Sequence, residues 1–480
     1  MFLVEIKSLV KLAAPVSLAQ LSLVGMSATD VLIAGQAGTT ELAGMNLGVN
    51  TWNMVIMFFM GIGFATQPLV AKQFGASNDV GVKHQLQQSI WMCLVLGIIA
   101  MMAVCLCGWG LQFAPFEGEL LRIAREYLLV ASLCAVPFTM IPAVRGTLEG
   151  MSLTRVVFLV NFFAFLLNIP LDYILVHGLY GFPKLGGVGC AWATVVIVWM
   201  VFLINAAVLK WHTYLKNKHL LENFEKPNGQ TIKRTLRMGL PIGFSIVVEL
   251  SMFAGAGMLI ATFGVVEASA HAVAITVASM SFMLYMGLGQ GVTIRASQLL
   301  GAQRPQEAWY TVKAGTCFNL MVAMVICLSF IVFTEPLIRL FTNDPEVIKL
   351  AVVLLYFGAA FQLADSLQIA VICALRAYHD TSSPPKYQIV AFLLFGLPAG
   401  VGLAFYNWWP GLAGAKGMWL AMVLSLSLVG LLLLWRLATR VREVIECTHL
   451  ALSAKANDAV NVIIEFQLMW SRLLISGYTA

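Results

Sequence analysis

The chain has 480 residues, of which 60% are hydrophobic and 11% are charged. A soluble domain carries about 25% charged residues, and no globular fold hides so large an apolar fraction, so a water-soluble protein is excluded. The formal net charge of +6 is not a nucleic-acid signal, and its meaning lies in which loops carry the basic residues.

Apolar runs of about 20 residues recur along the chain, which is the length that crosses the hydrocarbon core of a bilayer. They predict an all-α integral membrane protein. The first run follows Lys7 and Lys11 without a small-residue cleavage site, so we expect a permanent span rather than a signal peptide. The twelve predicted spans lie at about 12–35, 45–68, 87–110, 126–145, 156–177, 188–209, 237–262, 268–294, 312–334, 350–374, 387–407 and 417–437.

The second half of the chain repeats the first. Residues 11–36 and 237–262 share one design, in which a proline opens an apolar run that contains a single acid. The same register matches GIGFATQPLVAKQFGA (61–76) with GLGQGVTIRASQLLGA (287–302). It also places Glu41, Gly61 and Gly75 on Glu267, Gly287 and Gly301. The chain is therefore predicted to be a duplicated membrane unit.

The duplication predicts two lobes of six helices each, with parallel orientation and a pseudo-two-fold axis along the membrane normal. Paired lobes of this kind usually hold a central site and give alternating access to it by rocking. The predicted divisions are an N-terminal lobe (1–209), a polar cytoplasmic linker (210–236), a C-terminal lobe (237–440) and a cytoplasmic tail (441–480). Within the tail, residues 460–475 are too charged to span comfortably, and they favour an interfacial helix, with disorder as the alternative.

The loops alternate in charge along the chain. Most of the 29 Lys and Arg residues lie in the linker, in the loops on the same side as the linker, and in the two termini. The opposite set of loops holds only Arg122, Arg125, Lys184, Arg339, Lys349 and Lys416. By the positive-inside rule, both termini are expected in the cytoplasm.

Four acids lie well inside the apolar runs, namely Asp30, Asp172, Glu249 and Asp365. A lone charge at the bilayer centre costs about 3 kcal/mol on insertion scales, and no Lys or Arg is expected at matching depth. Protonation, a bound cation and exposure to an aqueous cavity all remain open as explanations. Any one acid could instead be hydrogen-bonded to a neighbouring helix for structural reasons.

In the first lobe, Asn168 and Asp172 are one turn apart and share a face of span 5. Asp30 on span 1 and Thr194 on span 6 could complete a cluster of oxygen atoms with them. The structural alternatives are that Asn168 serves helix packing and that Thr194 bonds its own helix backbone. In the second lobe, Glu249 and Asp365 are the only deep acids and are expected to pair.

Enzyme chemistry finds no support in the sequence. There is no Walker-type phosphate loop, no metal-hydrolase cluster and no nucleophile elbow, so no enzymatic activity and no cofactor are predicted.

An ordered series of motifs over about residues 5–440 resembles the multidrug and toxic compound extrusion (MATE) transporters, in their bacterial NorM-like branch. The motifs are APVSLAQ, TDVLIAG, TQPLVAKQFGA, RGTLEGMSLTR, LNIPLDYILVHG, LGGVGCAWAT, GLPIGFSIVVELSMF, GVTIRASQLLGA, FQLADSLQ and CALRAYHDT. The resemblance implies a V-shaped pair of six-helix bundles in the bacterial cytoplasmic (inner) membrane. It implies export of cationic amphiphilic compounds in exchange for Na⁺ or H⁺, by a protein expected to be a monomer among membrane lipids.

Carried over by position, the resemblance makes Asp30, Asn168, Asp172 and Thr194 the first-lobe cation site and the Na⁺ candidates. It makes Glu249 and Asp365 the second-lobe site. Related proteins tend to have a tyrosine one turn before the second-lobe aspartate, and here that position is Phe361. The second-lobe site therefore lacks a hydroxyl that could serve as a ligand in related proteins.

Three other functions compete with the antiporter. A flippase for lipid-linked saccharides has a related two-lobe architecture but should line its cavity with basic residues, whereas the deep charges here are acidic. An ion channel usually builds its pore by oligomerisation. An intramembrane enzyme would need a nucleophile and a base at depth, and the sequence shows no such pair.

Overall fold

The computed structural model describes residues 2–113, 118–406 and 408–476, with side chains as far as residue 448. The secondary structure of these ranges is helical. The α-helices are α1 (Phe2–Ala37), α2 (Thr39–Gly63), α3 (Thr66–Gly75), α4 (Asp79–Gly110), α5 (Gly118–Ser132), α6 (Ala135–Gly150), α7 (Thr154–His177), α8 (Gly187–Trp211), α9 (Gly229–Ala261), α10 (Val265–Gly301), α11 (Pro305–Val332), α12 (Thr334–Arg339), α13 (Pro345–Ala377), α14 (Ser383–Gln388), α15 (Leu397–Ala404) and α16 (Ala415–Ser476). A π-helical stretch, Ile389–Gly396, joins α14 to α15.

Eleven helical segments of the described residues are long and apolar enough to cross a membrane, and α5 with α6 forms a twelfth that is bent by 46°. The bend has a local cause, because Pro137 near the start of α6 has no N–H group to donate to the preceding turn. The prediction of an all-α membrane protein with twelve spans is thereby confirmed. The tail is helical as far as Ser476, but the side chains of its predicted interfacial segment, 460–475, lie outside the described residues.

Polar side chains cap the N-termini of several long helices. Asn78 before α4 accepts a hydrogen bond from the amide of Gly81 at 2.9 Å, and Asn228 before α9 accepts from Gln230 at 3.0 Å. Asp344 before α13 accepts from the amide of Glu346 at 2.9 Å. Short polar side chains at these positions satisfy amide groups that have no partner within the helix.

Equivalent helices pack in the two halves of the chain. In the first half, α2 packs on α5, α4 on α6 and α7 on α8. In the second half, α10 packs on α13, α11 on α13 and α15 on α16. The two halves also contact each other, through α1 against α10, α2 against α9 and α3 against α10.

Small residues let the two halves cross at close range. A Cβ atom on Gly61 would lie 2.8 Å from the Cα of Gly243, and there is no room for a Cβ on Gly287 against Ser17. The internal repeat makes these two contacts equivalent. Small residues bring membrane helices together because their backbones can approach closely.

A second crossing joins α3 to the end of α10. Gly75 packs directly on the backbone of Gln298, while Gly301 packs directly on the backbone of Lys72. The repeat equates Gly75 with Gly301 and Lys72 with Gln298, so the contact is reciprocal about the pseudo-two-fold axis. The amide of Gln298 also donates to the Gly150 carbonyl oxygen at 2.8 Å.

Both crossings lie in the part of the molecule that carries the connection between α8 and α9, which we call the linker end. That connection is bound to α4 in the first half. Gln87 donates to the carbonyl oxygens of Leu220 and Glu222 at 3.1 and 3.2 Å, and Gln88 donates to that of Lys226 at 3.1 Å. The limits of the lobes at residues 209 and 237 stay a prediction.

At the end of the molecule opposite the linker end, each half has a glutamate that caps the N-terminus of a helix in the same half. Glu41 Oε2 accepts from the Gly187 amide that opens α8 at 2.6 Å. Glu267 Oε2 accepts from the Ala415 amide that opens α16 at 2.9 Å. The carboxylates therefore stabilise the positive ends of two helix dipoles that the repeat makes equivalent.

Replacing Glu41 with glutamine is expected to lower the free energy of unfolding by about 1 kcal/mol, because the cap loses its charge. The melting temperature of the purified protein checks this. Glu335→Gln is the control, since it removes an exposed acid that only pairs with Arg339 on the same helix. Equal melting temperatures for the two variants would show that the Glu41 cap does not contribute.

Candidate functional site

The first-lobe site lies between α1 and α7. The Asp30 side chain lies close to those of Asp172 and Asn168. Asn168 and Asp172 are 0% exposed, and Thr29 donates from Oγ1 to Asn168 Oδ1 at 3.0 Å. Because Asn168 and Asp172 are one turn apart on α7, their oxygen atoms face Asp30 together.

The carboxylate oxygens of this group lack partners. Among the described residues, nothing forms a hydrogen bond with Asp30 Oδ1 or with either carboxylate oxygen of Asp172. A buried carboxylate, Asp172, beside a half-buried one, Asp30, is costly without a counter-charge. Free carboxylate and amide oxygens are the ligands that small hard cations prefer, and the same pair of acids could instead share a proton.

Thr194 lies at the edge of this group. It is half-buried on α8, one turn after Cys190, whose thiol is 3.7 Å from the Asp30 carbonyl oxygen. Residues one turn apart share a helix face, so Thr194 faces the same side of α8 as Cys190. Within the described part of the chain, its hydroxyl forms no hydrogen bond with the two acids or with Asn168.

The second-lobe site is centred on Glu249 of α9. Gln368 Nε2 donates to Glu249 Oε1 at 3.1 Å, and Gln388 Nε2 lies 3.4 Å from Glu249 Oε2. Ser245, one turn earlier, donates to Gln388 Oε1 at 2.5 Å. Neutral amides therefore hold the Glu249 carboxylate between α9, α13 and α14.

Asp365 is 2% exposed on α13, and its Oδ1 has no partner among the described residues. Phe361, one turn earlier, packs against the rings of Phe253 and Trp419, with centroid distances of 6.0 and 6.1 Å. Phe361 therefore belongs to an aromatic cluster. Tyr285 of α10 donates from its hydroxyl to Gln362 Oε1 at 2.9 Å, so it binds α13 three residues before Asp365.

The two sites lie at different distances from the linker end. Asp30 is about 20 Å along α1 from the crossing at Ser17, whereas Glu249 is about 9 Å along α9 from the crossing at Gly243. The internal repeat equates α1 with α9, but it does not place Asp30 and Glu249 at equivalent positions on these helices.

The structure brings Asp30, Asn168 and Asp172 together and places Glu249 within reach of the Asp365 charge. Their role as cation ligands stays a prediction. The charge of Arg376 on α13 reaches Glu249 without an ion pair between them among the described residues, and the expectation that no Lys or Arg lies at the depth of the acids stays a prediction. Within the described residues, no group of three or more His, Cys, Asp or Glu side chains is arranged to hold a metal ion.

Sequence reasoning missed the amides that hold Glu249. Gln368 follows Asp365 by about one turn of α13, so this spacing could have drawn attention to it. Gln388 had no such signal, because it lies on a separate short helix. Thr29 was also missed, although it directly precedes Asp30.

Comparison with known proteins gives one consistent family. The MatE family model matches residues 15–174 and 241–401. The multidrug resistance protein NorM of Aliivibrio fischeri is 31% identical over 433 residues, covering 90% of this chain and 94% of that protein. The multidrug resistance protein MdtK of Yersinia pestis is 30% identical over 441 residues, covering 91% and 96%. The crystal structure of the eukaryotic MATE transporter AtDTX14 matches the fold with a TM-score of 0.81 at 17% identity, covering 93% of this chain and 99% of that chain.

Proposed function

The chain belongs to the MatE family of membrane transporters, and from this we propose that it is a secondary active multidrug antiporter. It exports cationic amphiphilic compounds across the bacterial cytoplasmic membrane in exchange for Na⁺ or H⁺. It acts as a monomer, with both termini in the cytoplasm. Relatives named as multidrug resistance proteins support this proposal, and they give no support to a flippase for lipid-linked saccharides.

The observation that carries the proposal is the first-lobe group of unpartnered oxygens. Asp30 and Asp172 place two carboxylates beside the amide of Asn168, and among the described residues no basic side chain forms a hydrogen bond or ion pair with them. A cation or a proton offsets the cost of that charge. Na⁺ would be held by Asp30, Asp172 and Asn168, with Thr194 at the edge of the site.

The arrangement of the lobes supports alternating access. The described crossings hold the halves together at the linker end, so the described state is closed there, and Asp30 lies farther from that end than Glu249 does. Binding of an ion at Asp30 stabilises the conformation in which the site is complete. An organic cation competes for the same negative charge, so entry of one releases the other.

The driving force for exchange is adequate. Each elementary charge that moves inward across about 100 mV releases about 2.3 kcal/mol. Glu249 and Asp365 form a second acidic region, nearer the linker end, that an organic cation or a second coupling ion would contact. Phe361 gives this region an apolar, aromatic wall rather than a hydroxyl ligand.

Proteoliposomes that contain the purified protein test the proposal. Uptake of ethidium, a fluorescent organic cation, is compared under an imposed Na⁺ gradient and under an imposed pH gradient. We expect uptake with at least one gradient and its loss in Asp30→Asn, while Asp365→Asn shows whether the second acidic region is needed. Absence of uptake under both gradients would overturn the antiporter and favour the flippase.

A further inference from the structure

A small cavity lies between the two halves at the linker end. Its volume is about 30 Å³, and a single water needs about 10–15 Å³, so it holds one or two groups of that size. Both halves supply its polar wall, which consists of Gln20, Gln67, Arg145, Glu149, Gln290 and Arg376. Neither acidic site of the two lobes belongs to this cavity.

The one carboxylate in the wall is already neutralised. Arg145 Nε donates to Glu149 Oε1 at 2.6 Å, and Gln67 Nε2 donates to Glu149 Oε2 at 2.5 Å. A further nitrogen of Arg145 donates to Gln20 Oε1 at 3.1 Å. Because Glu149 and Arg145 cancel each other, the remaining charge of the wall is that of Arg376.

Arg376 has no partner of its own. It is half-buried, and among the described side chains its guanidinium forms no hydrogen bond and no ion pair. The sequence suggests Asp380 as a partner, because RGTLE (145–149) and RAYHD (376–380) place an acid one turn after each arginine.

Asp380 is instead bound to other groups. Arg436 Nε donates to Asp380 Oδ2 at 2.6 Å, and Ser383 Oγ donates to Asp380 Oδ1 at 2.8 Å. Burial alone would raise the pKa of Asp380, but these hydrogen bonds outweigh it and hold the pKa below its usual value. Asp380 therefore forms an ion pair with Arg436 rather than with Arg376, and Arg376 lines the cavity.

Two further features describe a site for a negative group. Gln290 is 8% exposed, lines the cavity and forms no hydrogen bond within the described residues. Glu249 is the acid whose charge reaches Arg376, but its oxygens are held by Gln368 and Gln388. The cavity thus combines a free guanidinium with a free buried amide.

We propose that this cavity binds one small monovalent anion, chloride in the cell, between the guanidinium of Arg376 and the side-chain amide of Gln290. An anion completes the hydrogen bonds of both groups and balances the charge of the wall. The volume of the cavity matches one small ion.

The site has a conformational consequence. Gln290 and Arg376 belong to the second half, whereas Gln20 and Arg145 belong to the first, so separation of the halves at the linker end takes the cavity apart. An anion that binds only the assembled cavity stabilises the state in which the linker end is closed. Cytoplasmic chloride is therefore a ligand of one conformation, separate from the coupling ion.

Thermal unfolding of the purified full chain tests the proposal without any transport assay. Sodium gluconate is replaced stepwise by sodium chloride or sodium bromide, so that Na⁺ and ionic strength stay constant. We expect a saturable rise of the melting temperature in the wild type and in the control Arg304→Gln, which removes an exposed arginine outside the cavity. In Arg376→Gln, the apparent halide affinity should fall at least tenfold.

A second variant tests the same site in case Arg376→Gln does not fold. Gln290→Glu places a carboxylate where the anion is proposed to lie, so it should melt normally in gluconate and respond to neither halide. Bromide soaked into crystals of the wild type should give an anomalous peak beside Arg376. A wild type that ignores halides, or an Arg376→Gln variant that responds as the wild type does, would overturn the proposal.

Discussion

Replacing Asp172 with asparagine is expected to reduce ion-driven exchange at least about tenfold, while a folded protein remains in the membrane. Asp172 is 0% exposed, and neither carboxylate oxygen has a partner among the described residues. A charged group in such contacts contributes about 1.5–3 kcal/mol, which corresponds to about 10–150-fold in binding of the cation. The neutral amide removes one of the two charges that hold the ion.

The same substitution should not weaken the empty protein. An unpaired buried carboxylate costs free energy, so Asp172→Asn should melt at the same temperature as the wild type or higher in the absence of the coupling ion. The wild type gains stability when the ion binds, and the variant should not. Glu307→Gln, which neutralises an exposed acid, serves as the control. Full exchange in Asp172→Asn, with an intact response to the ion, would contradict the site.

Replacing Gly75 with leucine is expected to hold the two halves apart at the linker end. Gly75 packs on the backbone of Gln298, so a larger side chain has no space unless α3 and α10 separate. Overpacking costs about 1–3 kcal/mol, which shifts the equilibrium away from the closed linker end by about 5–150-fold. Exchange should fall accordingly, because the protein rarely reaches the state that is open at the other end.

Spin labels at Val80 and Ala302, in a background without native cysteines, measure this change directly. The distance between them should lengthen in Gly75→Leu and also in Gly301→Leu, because the internal repeat makes the two contacts equivalent. Gly229→Leu is the matched control, since a Cβ at Gly229 meets nothing within 4 Å. Unchanged distances in both Gly75→Leu and Gly301→Leu would show that this crossing does not limit the motion.

The sequence predicts the fold because its strongest signals are long-range and simple. Apolar length predicts the spans, and the register of Pro15 with Pro241 predicts two matching halves. The same register pairs Glu41 with Glu267 but does not reveal that both cap helices, since capping depends on how the loops fold. Likewise, it equates Gly75 with Gly301 without showing that the two glycines lie against each other's helices.

The candidate site was predicted unevenly for a physical reason. Asn168 and Asp172 are one turn apart on one helix, so helical geometry alone places them together. Gln388 reaches Glu249 only through tertiary packing, which local spacing does not encode. Arg376 shows the same limit, because an acid one turn later, Asp380, would be its local partner, whereas the fold gives Asp380 to Arg436.

Obligate exchange is the central claim, and a flux measurement without any imposed ion gradient tests it most directly. Proteoliposomes are loaded with ethidium, diluted into ethidium-free buffer, and followed for ethidium release together with Na⁺ and H⁺ entry. Ethidium release should drive one of these ions inward at a fixed ratio, and both fluxes should be lost in Asp30→Asn. Ethidium release without movement of either ion, or equal release by Asp30→Asn, would contradict the account.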